Sequence, residues 1–263
     1  MKRTIVTRPA MSRARRVVWT RWGITLLLVL LLEAACRLGF VPKLAVLPPS
    51  EVIAAMVALL STQEVLTNVA ETFSTVAIAF TASVLTGFVL GVALHGAPRL
   101  RRAIDPLLAS YYAVPIFVFY PLLVALLGLG ALPLMAIGYL AAVPAMLIAT
   151  LLGLDRVPPV LRRVARMHRL GRVSTAVLVI LPAALPNLFQ GIKLSLAYAF
   201  IGVIAGEFIL SSGGLGYAIA FAYDSFDNRT MYGLMLFVLL SAVISNGLLS
   251  SWESRLQRRR GLQ

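Results

Sequence analysis

Long apolar stretches broken by short basic segments recur along the 263 residues. A helix needs about 20 mostly apolar residues to cross the hydrocarbon of a bilayer, and six stretches meet that length. The first is 22–40, with Glu33 and Arg37 near its far end. The second is 73–94, inside a stretch that carries no charge from Thr72 to Pro98. No charged residue occurs between Pro106 and Leu154, and Gly128-Leu129-Gly130-Ala131-Leu132-Pro133 supplies turn chemistry in the middle of that run. It therefore divides into span three (106–127) and span four (133–152). Span five is 185–210 and span six 232–250. The pattern predicts an all-α integral membrane protein of six transmembrane helices.

Composition excludes the soluble alternatives. Hydrophobic residues make up 60% and charged residues 13%, against about 25% charged in a soluble domain. The mean hydropathy is +0.90. Cys36 is the single cysteine, which excludes a disulfide scaffold, and His95 and His168 stand too far apart in sequence to suggest a metal site. No cofactor is expected.

The net charge of +14 raises the question of nucleic acid. Its distribution answers that question. Basic residues gather in a tail over 1–21, after span two (Arg99, Arg101, Arg102), between spans four and five, and in a tail over 253–263. Only Arg37, Lys43, Lys193 and Arg229 fall elsewhere. This is the positive-inside pattern, and it predicts both termini in the cytoplasm. Basic residues interleaved with aromatics on one folded surface, the mark of a nucleic-acid binder, are missing. The basic N-terminus followed by an apolar run has the outline of a signal peptide, but 22–40 is longer than a signal core and no small-x-small site follows it. An uncleaved first span is the expectation. The body of the molecule is then a membrane domain over 22–252.

The outer segments carry two further features. Leu47-Pro48-Pro49-Ser50-Glu51 opens an apolar stretch, with Ser50 as the expected N-cap of a short interfacial helix. The segment 211–230 begins Ser-Ser-Gly-Gly-Leu-Gly and is read as a loop.

The inner segment 155–184 is the longest and most basic. Pro158 and Pro159 suit a helix start. Val157, Val160, Leu161, Val164, Ala165 and His168 then recur at helical spacing, with Arg162, Arg163, Arg166 and Arg169 on other faces. A basic amphipathic helix of this kind fits either anionic headgroups or a groove on a soluble partner.

The run from Arg163-Val164-Ala165-Arg166 to Leu181-Pro182 resembles the cytoplasmic loop of ABC-importer permeases, which reads Glu-x-Ala-Arg-x-x-Gly and, about a dozen residues later, Leu-Pro. Aligned on Leu181-Pro182, Arg163 stands where Glu is usual and Arg169 where Gly is usual. Leu47-Pro48-Pro49-Ser50-Glu51, Asp105-Pro106-Leu107, the pair Pro115 and Pro121, Gly191-Ile192-Lys193-Leu194, and Ala205-Gly206-Glu207 through Gly214-Leu215-Gly216-Tyr217 resemble the nitrate/sulfonate/taurine-type branch. The resemblance implies a non-catalytic permease subunit of the bacterial inner membrane, half of a homodimeric or heterodimeric pore with the homodimer preferred. It implies a cytoplasmic ATPase dimer and an extracytoplasmic substrate-binding protein as partners, and a nitrate-, sulfonate-, taurine- or thiamine-precursor-like solute. The absence of a G-x-x-x-x-G-K-[ST] phosphate loop agrees. The ATPase-coupling residues expected on this basis are Val160, Leu161, Val164, Ala165, Arg166, His168, Gly171 and Pro182. Pathway candidates are Pro115, Pro121, Lys193 and Glu207, the last because an ionisable group at membrane depth needs a reason to be there. The rival reading is a secondary transporter working without an ATPase.

Overall fold

The computed structural model describes residues 13–40, 42, 46–111 and 113–259, with side chains except at 13–18, 210 and 257–259. Lys2, Arg3, Arg8, Lys43 and Arg260 lie outside the described residues. Among the described residues the chain is all-α. Its helices are α1 (Arg13–Arg37), α2 (Pro49–Leu59), α3 (Gln63–Gly96), α4 (Pro98–Tyr111), α5 (Tyr120–Leu127), α6 (Ala131–Asp155), α7 (Pro159–Met167), α8 (Arg172–Thr175), α9 (Leu181–Leu210), α10 (Gly214–Asp224) and α11 (Asn228–Arg259). Among the described residues five helical stretches are long and apolar enough to cross a membrane, and a sixth span exists if the bent pair made by α4 and Ile116–Leu127 is counted as one.

Two of the expected spans and one expected loop change shape. Span three is not a straight helix: α4 and the 3-10 turn Ile116–Phe119 that leads into α5 meet at 94°. Pro115 stands at the break and Pro121 in the first turn of α5, where a missing N–H does no harm. Span five starts much earlier than 185. Its helix runs from Arg172 to Ile209, so that the second half of the expected loop 155–184 is helical. Over Ala176–Ile180 it widens to π geometry just ahead of Pro182, which has no N–H to offer the preceding turn. The segment 211–230 is no simple loop either, because α10 lies within it.

The centre is α6, which packs most extensively against α9 and α3. Hydrophobic driving force is weak between helices in lipid, so close backbone approach through small residues takes its place. Thr75, Ala79, Ser83, Gly87 and Gly91 form the buried seam of α3. Gly138, Ala142, Ala145 and Ala149 do so on α6. A Cβ on Gly202 of α9 would stand 3.0 Å from Gly138 Cα, which shows how near the two backbones run. Around this core α2 lies along α11. α1 touches the rest chiefly through α2 and turns its leucines outward, a surface suited to hydrocarbon.

Glu33 and Arg37, four residues apart on α1, form an ion pair, with Arg37 Nε donating to Glu33 Oε1 at 2.6 Å. Its role is wider than a local pair. Glu33 also accepts from the Ser50 backbone N–H at 3.0 Å and from Ser50 Oγ at 2.8 Å, tying α1 to the start of α2. Ser50 is thus not the N-cap: Pro48 holds that position, and the free amide of the first turn is satisfied by a carboxylate from the neighbouring helix.

Candidate functional site

The bundle has two ends. The end of α3, the end of α6, α7 and the start of the α8–α9 helix gather at one. The start of α3, the end of α9 and α10 gather at the other. The expected functional residues divide between them.

At the first end α7 is seated edgewise. Val157 and Ala165 are buried, and Leu161 joins the apolar cluster of Leu154, Val157 and Ile180. Arg162 Nη2 donates to the Leu154 carbonyl at 3.3 Å, satisfying a free carbonyl at the end of α6, and Arg156 Nη1 donates to Asn187 Oδ1 at 3.0 Å. Val160, Val164 and Met167 face away, exposed by 59%, 45% and 82%. The single apolar face expected from spacing is therefore two faces. Leu161 and Ala165 serve the chain's own packing, Val160 and Val164 are free, and His168 and Arg166 are exposed.

α7 ends in a Schellman motif. The Leu170 N–H donates to the Ala165 carbonyl and the Arg169 N–H to the Arg166 carbonyl, both at 3.0 Å. Arg169 has φ +52°, the left-handed conformation that glycine adopts most easily. Gly171 has an ordinary φ and open space where a Cβ would go. The position that asks for glycine is thus 169, where the Leu181-Pro182 alignment puts it. Pro182 itself is half-buried just beyond the π segment.

Close by, Arg101 of α4 makes a bidentate pair with Asp155 at 2.9 and 2.6 Å. His95 Nδ1 of α3 lies 3.2 Å from Asp155 Oδ1, off the hydrogen-bond axis. The Arg101–Asp155 pair ties α4 to the end of α6, and the end of α3 lies beside it. Sequence reasoning missed this cluster, although Asp155 closes a 49-residue uncharged run and its isolation was a signal.

At the second end Glu207 is 2% exposed. Thr72 Oγ1 lies 2.9 Å from both of its carboxylate oxygens and donates to it. The Gly216 N–H donates to Glu207 Oε2 at 2.9 Å. Thr72 Oγ1 in turn accepts the Leu215 N–H at 2.8 Å, and Asn68 Oδ1 accepts the Gly214 N–H at 3.1 Å. The first amides of a helix have no partner within it. Here three of them are satisfied by side chains from α3 and α9, and the carboxylate sits at the positive end of the α10 dipole. The glycines follow from this. Gly214 has φ +91° and its Cβ would overlap the Glu207 carboxylate, while a Cβ on Gly216 would meet Glu207 Cβ and the Ile204 carbonyl. Gly214-Leu215-Gly216, expected to lie in a loop, is a helix N-terminus docked on a buried acid.

The four pathway candidates do not converge. Pro115 and Pro121 are exposed at the break in span three. Lys193 Nζ pairs with Glu253 Oε2 of α11 at 2.7 Å, at the α7 end of the bundle. None of the four lines the apolar groove that runs between α9 and α11 past Phe200, Ile204, Phe208, Tyr223, Met235 and Leu239. Among the described residues no group of three or more His, Cys, Asp or Glu side chains is placed to hold a metal ion.

Comparison with known proteins places this architecture. Residues 83–261 match the family described as binding-protein-dependent transport system inner membrane component. The taurine transport system permease protein TauC of Escherichia coli is 24% identical over 93% of this chain and 96% of its own. The nitrate import permease protein NrtB of Leptolyngbya laminosa is 24% identical over 72% of this chain and 67% of its own. A solved structure of the MetNI methionine ABC transporter, in an inward-facing conformation, superposes with a TM-score of 0.58 at 20% identity, covering 72% of this chain and 92% of that one, which supports the fold. With the family profile matching more than half of the chain, and relatives of these kinds along its length, the chain belongs to the inner-membrane permease family of binding-protein-dependent ABC importers, in its nitrate/sulfonate/taurine branch.

Proposed function

We propose that this permease forms half of a translocation pathway for a small solute, of the taurine, nitrate, sulfonate or thiamine-precursor kind, and is driven through α7 by a separate ATPase dimer. A second copy of the chain completes the pathway, and an extracytoplasmic binding protein delivers the solute. The α7 end faces the cytoplasm, as do both termini. ATP hydrolysis belongs to the partner.

One observation carries this reading. α7 is fixed to the ends of α6 and α9, the two most central helices, by Val157, Leu161, Ala165 and the Arg162–Leu154 bond, while its ridge of Val160, Val164 and Met167 stays exposed. Displacing α7 from outside therefore displaces the core, in the manner of rigid-body alternation between access states. Arg166 and His168 flank the ridge; Gly171 and Pro182 belong to the connection that transmits the motion into α9. Glu207 acts at the other end as the anchor of α10. Lys193, paired with Glu253, ties α9 to α11.

The test is substitution at Val164. A tryptophan at Ala165 would unseat α7 from its own bundle and so report on folding. Val164→Trp enlarges the exposed ridge instead, and overpacking in a groove costs typically 1–3 kcal/mol. The variant should insert at normal levels and lose either its ATPase or substrate-stimulated hydrolysis in reconstituted complexes. Full association and turnover in Val164→Trp would remove α7 from the coupling role. Failure of the wild type to co-purify with any ATPase would instead favour the secondary transporter. Orientation is tested with Cys36 removed: a cysteine replacing Ser174 should be shielded from an impermeant thiol reagent in intact cells, and one replacing Ser225 should be labelled. The reverse result would invert the topology.

A further inference from the structure

Between Asp155 and Glu207 the chain contains six arginines and no acidic residue. Two of the six are used by the fold itself, Arg156 on Asn187 and Arg162 on the Leu154 carbonyl. The other four, Arg163, Arg166, Arg169 and Arg172, are exposed, and among the described residues none of them has an ion-pair partner. Two ride on α7, one forms its left-handed terminus and one opens the next helix. Four guanidinium groups thus crowd a single short helix and its exit, with no carboxylate among the described residues paired to them. They border the exposed ridge of Val160, Val164 and Met167.

Resting on the docking role of α7, we propose that the groove receiving it on the ATPase is acidic: an apolar floor takes Val160, Val164 and Met167, and carboxylates on its rim face Arg163, Arg166, Arg169 and Arg172. The pairing is then selective. An ATPase whose rim is neutral or basic is rejected, because four arginines would be brought against it unpaired. Arginine suits this task since its planar fork binds a carboxylate through two parallel hydrogen bonds and stays charged at any physiological pH. Met167, flexible and polarisable, adapts to an irregular apolar floor.

A lipid surface explains the same arginines less well. A helix resting on headgroups directs its apolar face into the bilayer. In α7 the side bearing Leu161 and Ala165, continued by Val157 just ahead of the helix, is already occupied by the end of the bundle. The exposed ridge is a second side, and a flat headgroup layer reaches it only if α7 turns off its seat. A groove in a protein receives it in place.

The experiment uses the full permease in nanodiscs of phosphatidylcholine alone, which supplies no anionic headgroup, with the ATPase that co-purifies with it. Binding of that ATPase is measured for the wild type, for R163Q/R166Q/R169Q, for the matching triple lysine variant and for Val164→Trp. The expected wild-type Kd weakens about tenfold as salt rises from about 50 mM to about 500 mM. The triple glutamine variant binds about tenfold more weakly at low salt and loses most of the salt dependence, as removal of three partly exposed ion pairs would have it. The triple lysine variant recovers most of the affinity, which excludes misfolding as the cause. If the triple glutamine variant binds like the wild type with the same salt dependence, the acidic groove is overturned. Val164→Trp then separates the two readings: loss of binding there keeps α7 as the docking element against a neutral groove, and retained binding removes the docking role as well. If the arginines change ATPase binding only after phosphatidylglycerol is added to the nanodiscs, they serve headgroups and the proposal falls.

Discussion

The two ends of this bundle treat charge in opposite ways. At the α10 end one carboxylate, Glu207, is almost wholly buried and its donors are all within the chain: the Thr72 hydroxyl and the Gly216 amide, with Asn68 completing the set on Gly214. At the α7 end four arginines are exposed and, among the described residues, no ion-pair partner answers them. A buried polar network that is fully satisfied holds one arrangement, because every departure from it leaves a group unpaired in a medium that cannot hydrate it. An exposed field of one sign has no internal optimum and is completed from outside. The first end is thus built for shape and the second for contact.

The comparison is broken most severely by filling the space that the buried end depends on. Gly216→Leu should drive a side chain into Glu207 Cβ and the Ile204 carbonyl, costing about 3 kcal/mol. A marked drop in the thermal midpoint of the purified protein is expected, and an unchanged midpoint would mean that α10 is not seated on α9 as described. Glu207→Gln is milder, since it keeps an acceptor but removes the charge. Loss of a charge-assisted hydrogen bond is worth about 1.5–3 kcal/mol. Normal membrane insertion with uptake reduced about tenfold or more is the expected outcome, and wild-type uptake would leave Glu207 with no part in transport.

Two smaller changes sharpen the contrast. Both ends close a helix with a bulky residue in the left-handed region, Arg169 after α7 and Phe226 after α10. Glycine relieves that conformation, so Arg169→Gly and Phe226→Gly should each stabilise the protein by about 1 kcal/mol in denaturant unfolding. Arg169→Gly should nevertheless weaken ATPase binding, whereas Phe226→Gly should leave it unchanged; equal effects of the two on that binding would blur the distinction drawn here. The smallest effect concerns Asp227, which caps α11 outside the membrane. Hydrogen bonds from the Thr230 side chain and then the Thr230 backbone amide, at 3.1 Å for the latter, hold its carboxyl below the usual range. A depressed pKa contributes stability that is present above the unfolded value of about 3.9 and is lost as pH falls through the lower folded value. Asp227→Ala should cost about 1 kcal/mol near neutrality, and the difference between variant and wild type should shrink on acidification. A difference that persisted below that range would assign the effect to something other than the cap.

Much of this was readable in the linear sequence, for a definite reason. Crossing a membrane demands long uncharged runs, so the spans near α1, α3, α6 and α11 were visible by length alone; α3, α6 and α11 run past their predicted ends, and α1 stops at Arg37. The amphipathic character of 157–168 was visible too, through its spacing. Which of its apolar residues were free was not, because helical periodicity gives a face and says nothing of what lies against it. Val160 and Ala165 have the same status in the sequence and opposite fates in the fold.

The chain by itself determined its solvent, the number of its apolar runs and the sign of its loops, since these follow from composition and spacing along one segment at a time. Tertiary structure decided everything that requires two segments. It bent span three at Pro115, extended span five back to Arg172, and turned a glycine-rich segment into a helix docked on Glu207. It also joined His95, Arg101 and Asp155, which lie on three different helices. Hydrogen bonds and close backbone approach depend on distances across the bundle, and those distances are set only when α3, α6 and α9 pack through their small residues.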